Sequence, residues 1–167
     1  TLKLPGDRRI EAQTLFASSV ATNNGSHDLA IQATNANQVY AFDAKTYKQL
    51  WKRTLGKPIK SVQKIDSWLT NDSFGILGTP VIVGGSVYCV AWISTDGNYT
   101  TAHHFLYEVR LRDGTVARKL QLPGDPGMPR KQRSALTALN LNGTDWLFIP
   151  WGTIFETANG AHGFITA

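Results

Sequence analysis

Residues 40–51 read YAFDAKTYKQLW, and residues 107–118 read YEVRLRDGTVAR. When the two stretches are aligned, each shows a strand-like run, a short polar turn and a second strand-like run at the same spacing. This is the pattern of two antiparallel strands joined by a tight turn. The chain therefore contains an internal repeat built from β-hairpins.

The rest of the chain continues the same pattern. Short β-branched and aromatic runs alternate with Gly, Asn, Asp and Pro, and helical periodicity is nearly absent. The runs predict strands at residues 14–21, 28–34, 38–42 and 49–55, then 79–83, 86–94, 104–111 and 116–122, and finally 134–141, 145–151 and 163–167. We therefore predict an all-β fold with two four-stranded antiparallel units, 14–55 and 75–122, followed by a three-stranded unit, 134–167.

A second repeat concerns the opening residues. LKLPGD at residues 2–7 returns as LQLPGD at residues 120–125, which is 118 residues later. The later copy forms the fourth strand of its unit and leads into the next unit. By analogy, residues 1–4 are the outer strand of a unit whose other three strands do not precede them. The chain thus amounts to about three units, and one of these units is split between the two ends of the chain.

The first repeat carries a family resemblance. Residues 41–51 resemble the tryptophan-docking motif of quinoprotein (pyrroloquinoline quinone, PQQ) repeats, Ala-x-Asp-x-x-Thr-Gly-x-x-x-Trp. Four motif positions match in register: Ala41, Asp43, Thr46 and Trp51. Tyr47 stands where the motif has Gly, at a turn position that usually needs a positive φ.

Other segments support the resemblance. The second copy keeps the motif's glycine as Gly114 but has Arg118 in place of the Trp, and residues 75–82, GILGTPVI, look like the start of a repeat. Residues 131–136, 146–149 and 162–164 are also similar to the repeats of PQQ-like propellers found in secreted proteins.

The resemblance implies a β-propeller of four-stranded antiparallel blades, in a non-catalytic or uncharacterised secreted branch of the family. In such a blade, Asp and Thr side chains hydrogen-bond the tight turn and the Trp reaches the neighbouring blade. The resemblance therefore gives Ala41, Asp43, Thr46, Trp51 and Gly114 a structural, blade-docking role.

The sequence does not favour catalysis. The family's dehydrogenases hold PQQ over Ca²⁺ with Glu and Asn ligands, and many have a vicinal disulfide, which the single Cys89 excludes. Glu156 and Asn159 are the most that can be nominated as calcium ligands, and turn polarity explains them equally well. His103 and His104 are neighbours on a strand and point to opposite faces, so they do not chelate one ion easily. We predict no catalytic, cofactor-binding or metal-binding residues.

An alternative assigns the chain to an active enzyme. It is then one segment of a PQQ-dependent dehydrogenase whose cofactor ligands lie outside these residues. PQQ and calcium are expected as cofactors only under this alternative.

Four Asn-x-Ser/Thr sequons point to secretion. They begin at Asn98, Asn24, Asn142 and Asn71, all in predicted turns or loops that tolerate an oligosaccharide. We read the chain as an extracellular glycoprotein, and ordinary Asn-rich turns are the competing explanation. No signal peptide is visible; if the protein is secreted, we expect that Thr1 lies beyond a cleavage point or that the chain is an excised piece.

The net charge of +5 is concentrated in one stretch, which carries Lys45, Lys48, Lys52, Arg53, Lys57, Lys60 and Lys64. A surface for acidic glycans or nucleic acid is one interpretation. A Lys-rich strand edge that resists aggregation is the one we favour, because no recognition motif accompanies the charge. We therefore predict no nucleic-acid partner, and no run is apolar enough to span a membrane.

Three blades leave two raw sheet edges, since known propellers close with at least four. Either a longer polypeptide supplies the remaining blades, or copies of the chain complete each other head to tail. In the second case residues 1–4 of one copy add to the three-stranded unit of another. The strand-exchange candidates are Leu2, Leu4, Phe164 and Ile165.

Overall fold

The structure, a computed structural model, describes residues 3–4, 7, 9–60, 73–124, 130–153 and 162–167. The strands in these ranges are β1 (Leu15–Thr22), β2 (Gly25–Ala33), β3 (Gln38–Asp43), β4 (Gln49–Thr54), β5 (Val81–Val83), β6 (Ser86–Ile93), β7 (His103–Arg110), β8 (Val116–Gln121), β9 (Arg130–Lys131), β10 (Thr137–Leu141), β11 (Thr144–Thr153) and β12 (Phe164–Thr166). One turn of 3-10 helix, Tyr99–Thr101, precedes β7. No helix in the described part of the chain is long and apolar enough to cross a membrane.

The first eight strands form two antiparallel meanders. Blade 1 has the order β1-β2-β3-β4 and blade 2 has the order β5-β6-β7-β8. The turn chemistry explains the tight hairpins: Gly84 and Gly85 join β5 to β6, and both have positive φ, 54° and 83°. Two-residue hairpin turns with that backbone favour Gly and Asn. The predicted all-β class with four-stranded antiparallel blades is confirmed.

Blade 3 consists of β9 to β12. Its long central strand β11 pairs with β12 through residues 149–151. It pairs with β10 through residues 144–148 and with β9 through residues 152–153. The chain passes from Lys131, opposite Gly152, to Thr137, opposite Phe148, so β9 and β10 run along one edge of β11 with an irregularity between them. Blade 3 is therefore three strands wide in the described ranges.

The blades stack face to face. Leu29 and Ile31 of blade 1 share a buried cluster with Val87 and Cys89 of blade 2. Because side chains alternate along a strand, the next residue, Val90, points the other way. Val90 lies in a separate cluster with Leu136, Ile149 and Trp151 at the start and centre of blade 3. Blade 2 is thus enclosed between blades 1 and 3, as neighbouring blades of a propeller are.

Two features differ from the sequence-based expectation. The strand predicted from residue 134 begins at Thr137, and the short β9 was not predicted, because two residues show no periodicity. A strand was also predicted at residues 1–4; of these, Lys3 and Leu4 lie in no strand, and Thr1 and Leu2 are outside the described residues. The N–H of Asp7 donates to the carbonyl of Leu4 (3.2 Å). That residues 1–4 form the outer strand of a blade therefore remains a prediction.

Candidate functional site

The tight turn between β3 and β4 is organised by one carboxylate. Asp43 Oδ1 accepts hydrogen bonds from the backbone N–H groups of Lys45 (3.0 Å) and Thr46 (2.6 Å) and from the Thr46 hydroxyl (2.9 Å). The next residue, Tyr47, has φ of 61° and is exposed. The structure thus requires at Tyr47 the left-handed backbone for which the family motif has Gly.

The other oxygen of this carboxylate contacts a histidine. Asp43 Oδ2 lies 2.6 Å from Nδ1 of His27, which is on the neighbouring strand β2. This hydrogen bond raises the pKa of His27 and is the largest cause that lowers the pKa of Asp43. Sequence reasoning missed His27, because its partner lies across the sheet and not within the motif.

Trp51 joins blade 1 to blade 2. It lies on β4 opposite Ala41, and both side chains are buried in the cluster shared by the two blades. The indole Nε1–H donates to the carbonyl of Leu111 (2.7 Å). Gly114 lies against the ring, where a Cβ would be 2.6 Å from Cε3 of Trp51. The structure therefore brings Ala41, Trp51 and Gly114 together at the interface, while Asp43 and Thr46 shape the turn that leads to it.

A different arrangement joins blade 2 to blade 3. Arg118, at the position equivalent to Trp51, is exposed and lies 3.9 Å from Glu108 of its own blade. The contact is made instead by His104, whose ring stacks on Trp92 (4.8 Å between centroids) and meets the edge of Trp151 (4.9 Å). Burial is the main reason that the pKa of His104 is lowered to about 3. The imidazole is thus a neutral packing group at neutral pH.

His103 points away from this contact. Its Nδ1 is 3.1 Å from the side-chain amide of Gln121 on β8. The two neighbouring histidines are therefore held in separate environments. In the part of the chain that the structure describes, there is no group of three or more His, Cys, Asp or Glu residues that could hold a metal ion.

A polar junction connects the starts of blades 1 and 3. Glu11 Oε1 lies 3.0 Å from Nε of Arg9 and accepts a hydrogen bond from the Asn35 side chain (3.2 Å), and Glu11 Oε2 lies 2.7 Å from Nε of Arg133. Thr79, at the start of blade 2, lies between them in the chain. Its hydroxyl accepts from the N–H of Gln13 and its carbonyl from the N–H of Leu136 (both 2.9 Å).

The GILG segment that precedes Thr79 is lined by two buried side-chain amides. A Cβ at Gly75 would lie 2.4 Å from Oδ1 of Asn37, and a Cβ at Gly78 would lie 2.3 Å from Oε1 of Gln132. Asn37 belongs to blade 1 and Gln132 precedes blade 3. Both glycines are therefore required by close approach of neighbouring blades. The GILG spacing is the sequence signal for these close approaches, but it does not identify Asn37 or Gln132 as the neighbouring amides.

The single cysteine is structural. Cys89 is fully buried between blades 1 and 2, and burial raises the pKa of its thiol to about 12. At neutral pH the reactive thiolate is therefore suppressed.

Three of the four sequons lie in described turns. Asn24 is exposed between β1 and β2, and Asn142 is exposed between β10 and β11. Asn98 is half-buried in the loop before the 3-10 turn. Asn71 lies outside the described residues, as do Glu156 and Asn159, the nominated calcium ligands.

The strand-exchange candidates lie near the two outer blades. Leu4 lines a cavity of about 320 Å³ on blade 1, together with Ile10 and Phe42. Phe164 stacks on Trp151 (6.0 Å between centroids), and Ile165 is exposed on β12. Leu2 is not among the described residues.

Comparisons with known proteins give likeness at the level of structure only. No protein-family model and no curated protein sequence matches the chain. The chain is similar to a europium-containing methanol dehydrogenase (19% identity, 67% of this chain and 15% of that chain, TM-score 0.45). It is also similar to BamB from Moraxella catarrhalis (13%, 84% and 32%, TM-score 0.40). A third similar structure is the quinohemoprotein alcohol dehydrogenase ADHIIG from Pseudomonas putida HK5 (7%, 85% and 34%, TM-score 0.46). The chain thus spans about a third or less of the length of each of these proteins.

Proposed function

We propose that the chain is a structural or interaction module of a secreted β-propeller and not a catalytic unit. The observation that carries this proposal is that the potentially reactive side chains make structural contacts. The Asp43 carboxylate holds the turn between β3 and β4, the His104 ring packs against Trp151 between blades 2 and 3, and Cys89 is buried between blades 1 and 2. Groups that a catalytic centre would use are thus engaged in a turn and in the contacts between blades.

The module is completed by further blades, from copies of the same chain or from a longer polypeptide. Its described outer strands β4 and β8 carry exposed basic side chains, including Lys52, Arg118 and Lys119. Lysine on an edge strand hinders unwanted strand pairing. This supports the interpretation of the charge as edge protection, with no nucleic-acid partner.

The competing function is that of a segment of a PQQ-dependent dehydrogenase. The described residues do not fit the calcium that this chemistry uses, since Ca²⁺ takes six to eight oxygen ligands and these ranges hold no cluster of three or more acidic or other metal-binding side chains.

Titration with PQQ and Ca²⁺ of the assembled protein, with every blade that completes it, tests the two functions, because the dehydrogenase alternative places the cofactor ligands outside these residues. Trp92 and Trp151 give a fluorescence signal near the interface of blades 2 and 3. The module function predicts no saturable quenching and no PQQ-dependent dye reduction. Saturable binding accompanied by dye reduction would favour the dehydrogenase.

Secretion is tested separately. We expect the chain, expressed behind a signal sequence in eukaryotic cells, to appear in the medium and to lose mass on treatment with peptide N-glycosidase. Asn98→Gln is expected to remove one step of that mass loss, and Asn71→Gln serves as the comparison. An unchanged mass after treatment would contradict the glycoprotein assignment.

A further inference from the structure

Blade 3 turns an apolar face away from blade 2. In β11, Ile149 and Trp151 point towards blade 2, so the alternate residue Trp146 points outward. Leu139 lies directly opposite Trp146 in register, and Ile165 lies opposite the outward Pro150. Trp146, Leu139 and Ile165 are 43%, 50% and 68% exposed. We call these three residues the tail face.

Blade 1 turns its own apolar face outward at the opposite end of the stack. Leu29 and Ile31 of β2 point towards blade 2, so Ala30 points outward, and Phe16 lies opposite Ala30 in register. Phe16 is 72% exposed. Beside it, Ile10 and Phe42 line the cavity of about 320 Å³ that also contacts Leu4. We call Phe16, Ile10 and this cavity the head face.

The head face corresponds to a surface that already receives a blade inside the chain. Tyr40 and Tyr107 are equivalent in the internal repeat. Tyr107 faces blade 1, and its hydroxyl donates to the carbonyl of Leu55, at the end of the outer strand of that blade (2.6 Å). Tyr40 faces outward, and its hydroxyl donates to Asp7, at the end of the opening segment (2.6 Å).

Asp7 therefore lies where the exit of a preceding blade would lie. Residues 2–7 also repeat residues 120–125, which leave the outer strand of blade 2. The head face is thus equivalent to the side of blade 2 that contacts blade 1. The other side of that contact is a sheet with an apolar face, and the tail face is such a surface.

We propose that the tail face of one copy of this chain seats on the head face of a second copy, head to tail. The inference rests on the proposed module function and names its partner. Two observations converge on one seam: Leu4 lies at the head face, and β12 of the tail blade has a strand partner on only one side within the described ranges. Seating blade 3 on the head face brings the edge of β12 that has no strand partner in the described ranges towards Leu4, which belongs to the segment predicted to complete it.

The interface is heterologous, because different surfaces meet. Such an interface closes into a ring when its rotation permits. Two copies supply six blades, within the range of about four to eight in which propellers close. Each copy then buries both of its exposed apolar faces.

The experiment measures the mass of the unmodified chain by sedimentation and by native mass spectrometry. We expect twice the chain mass of 18.3 kDa. Trp146→Asp in the tail face and Phe16→Asp in the head face should each weaken the assembly by at least roughly 30-fold, as for central interface residues. Leu120→Asp is the control, because Leu120 is 54% exposed, between Trp146 and Phe16, but lies on the outer strand β8, outside both faces.

Mixing the two variants tests the head-to-tail geometry. The Phe16→Asp copy keeps an intact tail face and the Trp146→Asp copy keeps an intact head face. An equimolar mixture should therefore form a heterodimer through one interface, although neither variant pairs alone. Circular dichroism of each variant shows whether its blades remain folded, and Leu139→Asp replaces Trp146→Asp if that variant unfolds.

A wild-type chain that is monomeric throughout would overturn the inference, and so would a mixture that forms no heterodimer. If the chain forms an assembly larger than a dimer and the same substitutions abolish it, that result would support the contact between the tail face and the head face. None of these results bears on the PQQ titration, so the inference can fail while the proposed function stands.

Discussion

Gly114 of blade 2 lies directly against the indole of Trp51 in blade 1. A Cβ on Gly114 would be 2.6 Å from Cε3 and 2.8 Å from Cδ2 of that ring. Gly114 also has a φ of 69°, so two separate requirements select glycine at this position. The turn of one blade is thus shaped by the side chain that its neighbour extends.

Substituting Gly114 should separate these two requirements. We expect Gly114→Ala to lower the free energy of unfolding by about 2–4 kcal/mol, combining a left-handed Cβ with a clash in a packed interface. The control is Gly84→Ala, since Gly84 has φ of 54° and no atom within 4 Å of its Cβ position. It should lose only about 1 kcal/mol. Equal losses in urea unfolding of the two variants would mean that Gly114 makes no docking contribution.

Tyr47→Gly is expected to stabilise the chain. Tyr47 has φ of 61° and is 63% exposed, so its side chain contributes little packing while its Cβ strains the turn. Relieving that strain should raise the free energy of unfolding by about 1 kcal/mol, although the added chain entropy of glycine offsets part of the gain. Lys48→Gly, at the next exposed position, should instead be neutral or destabilising. A lower melting temperature for Tyr47→Gly would contradict the assignment of strain.

The His27–Asp43 pair predicts that stability falls at alkaline pH. The pKa of His27 is raised above 6.5 in the fold, so the folded chain holds this proton more tightly than the unfolded chain. The stabilisation is complete below pH 6.5 and is lost as the pH rises through the folded pKa. Urea unfolding between about pH 6 and pH 9 should show this decline in the wild type and less of it in His27→Gln. Parallel curves would show that the pair does not contribute.

The enclosed His104 predicts the opposite dependence on the acid side. Its pKa is lowered from 6.5 to about 3 in the fold, so the unfolded chain binds this proton more readily below pH 6.5. Its contribution is present above pH 6.5 and is lost as the pH falls towards 3. His104→Phe should therefore move the midpoint of acid unfolding to lower pH, as followed by Trp fluorescence. His103→Phe is the matched control, and the same shift in both variants would exclude the enclosed ring as the cause.

The sequence contained enough to predict the blades but not the contacts between them. Alternation in β6 and the Gly84-Gly85 turn are local patterns, so the strands were placed to within a few residues. Trp51 could be assigned because a whole motif surrounds it. The ion pair of Glu11 with Arg133 joins residues far apart in the chain, and no periodicity reports such a pair.

The same limit applies to His27 and to the buried amides. Asp43 pairs with Leu29 in the register of β2 and β3, and His27 lies two residues before Leu29. The contact between His27 and Asp43 therefore depends on that register, which the sequence alone does not give. No sequence pattern distinguishes Asn37 or Gln132, although each is enclosed against a glycine of another segment. Blade 3 was predicted with three strands across, but the irregularity between β9 and β10 leaves no compositional trace.

The Glu11–Arg133 ion pair gives the stack a property that linear repeat arrays lack. In a solenoid each repeat touches only its neighbours, so its stability is a sum of adjacent pairs. Here Glu11, which precedes blade 1, lies 2.7 Å from Arg133, which precedes β10 of blade 3, so segments of two blades that are not neighbours meet directly. Melting of a terminal blade therefore withdraws partners from the far side of the stack, and the chain should lose its structure in one cooperative step.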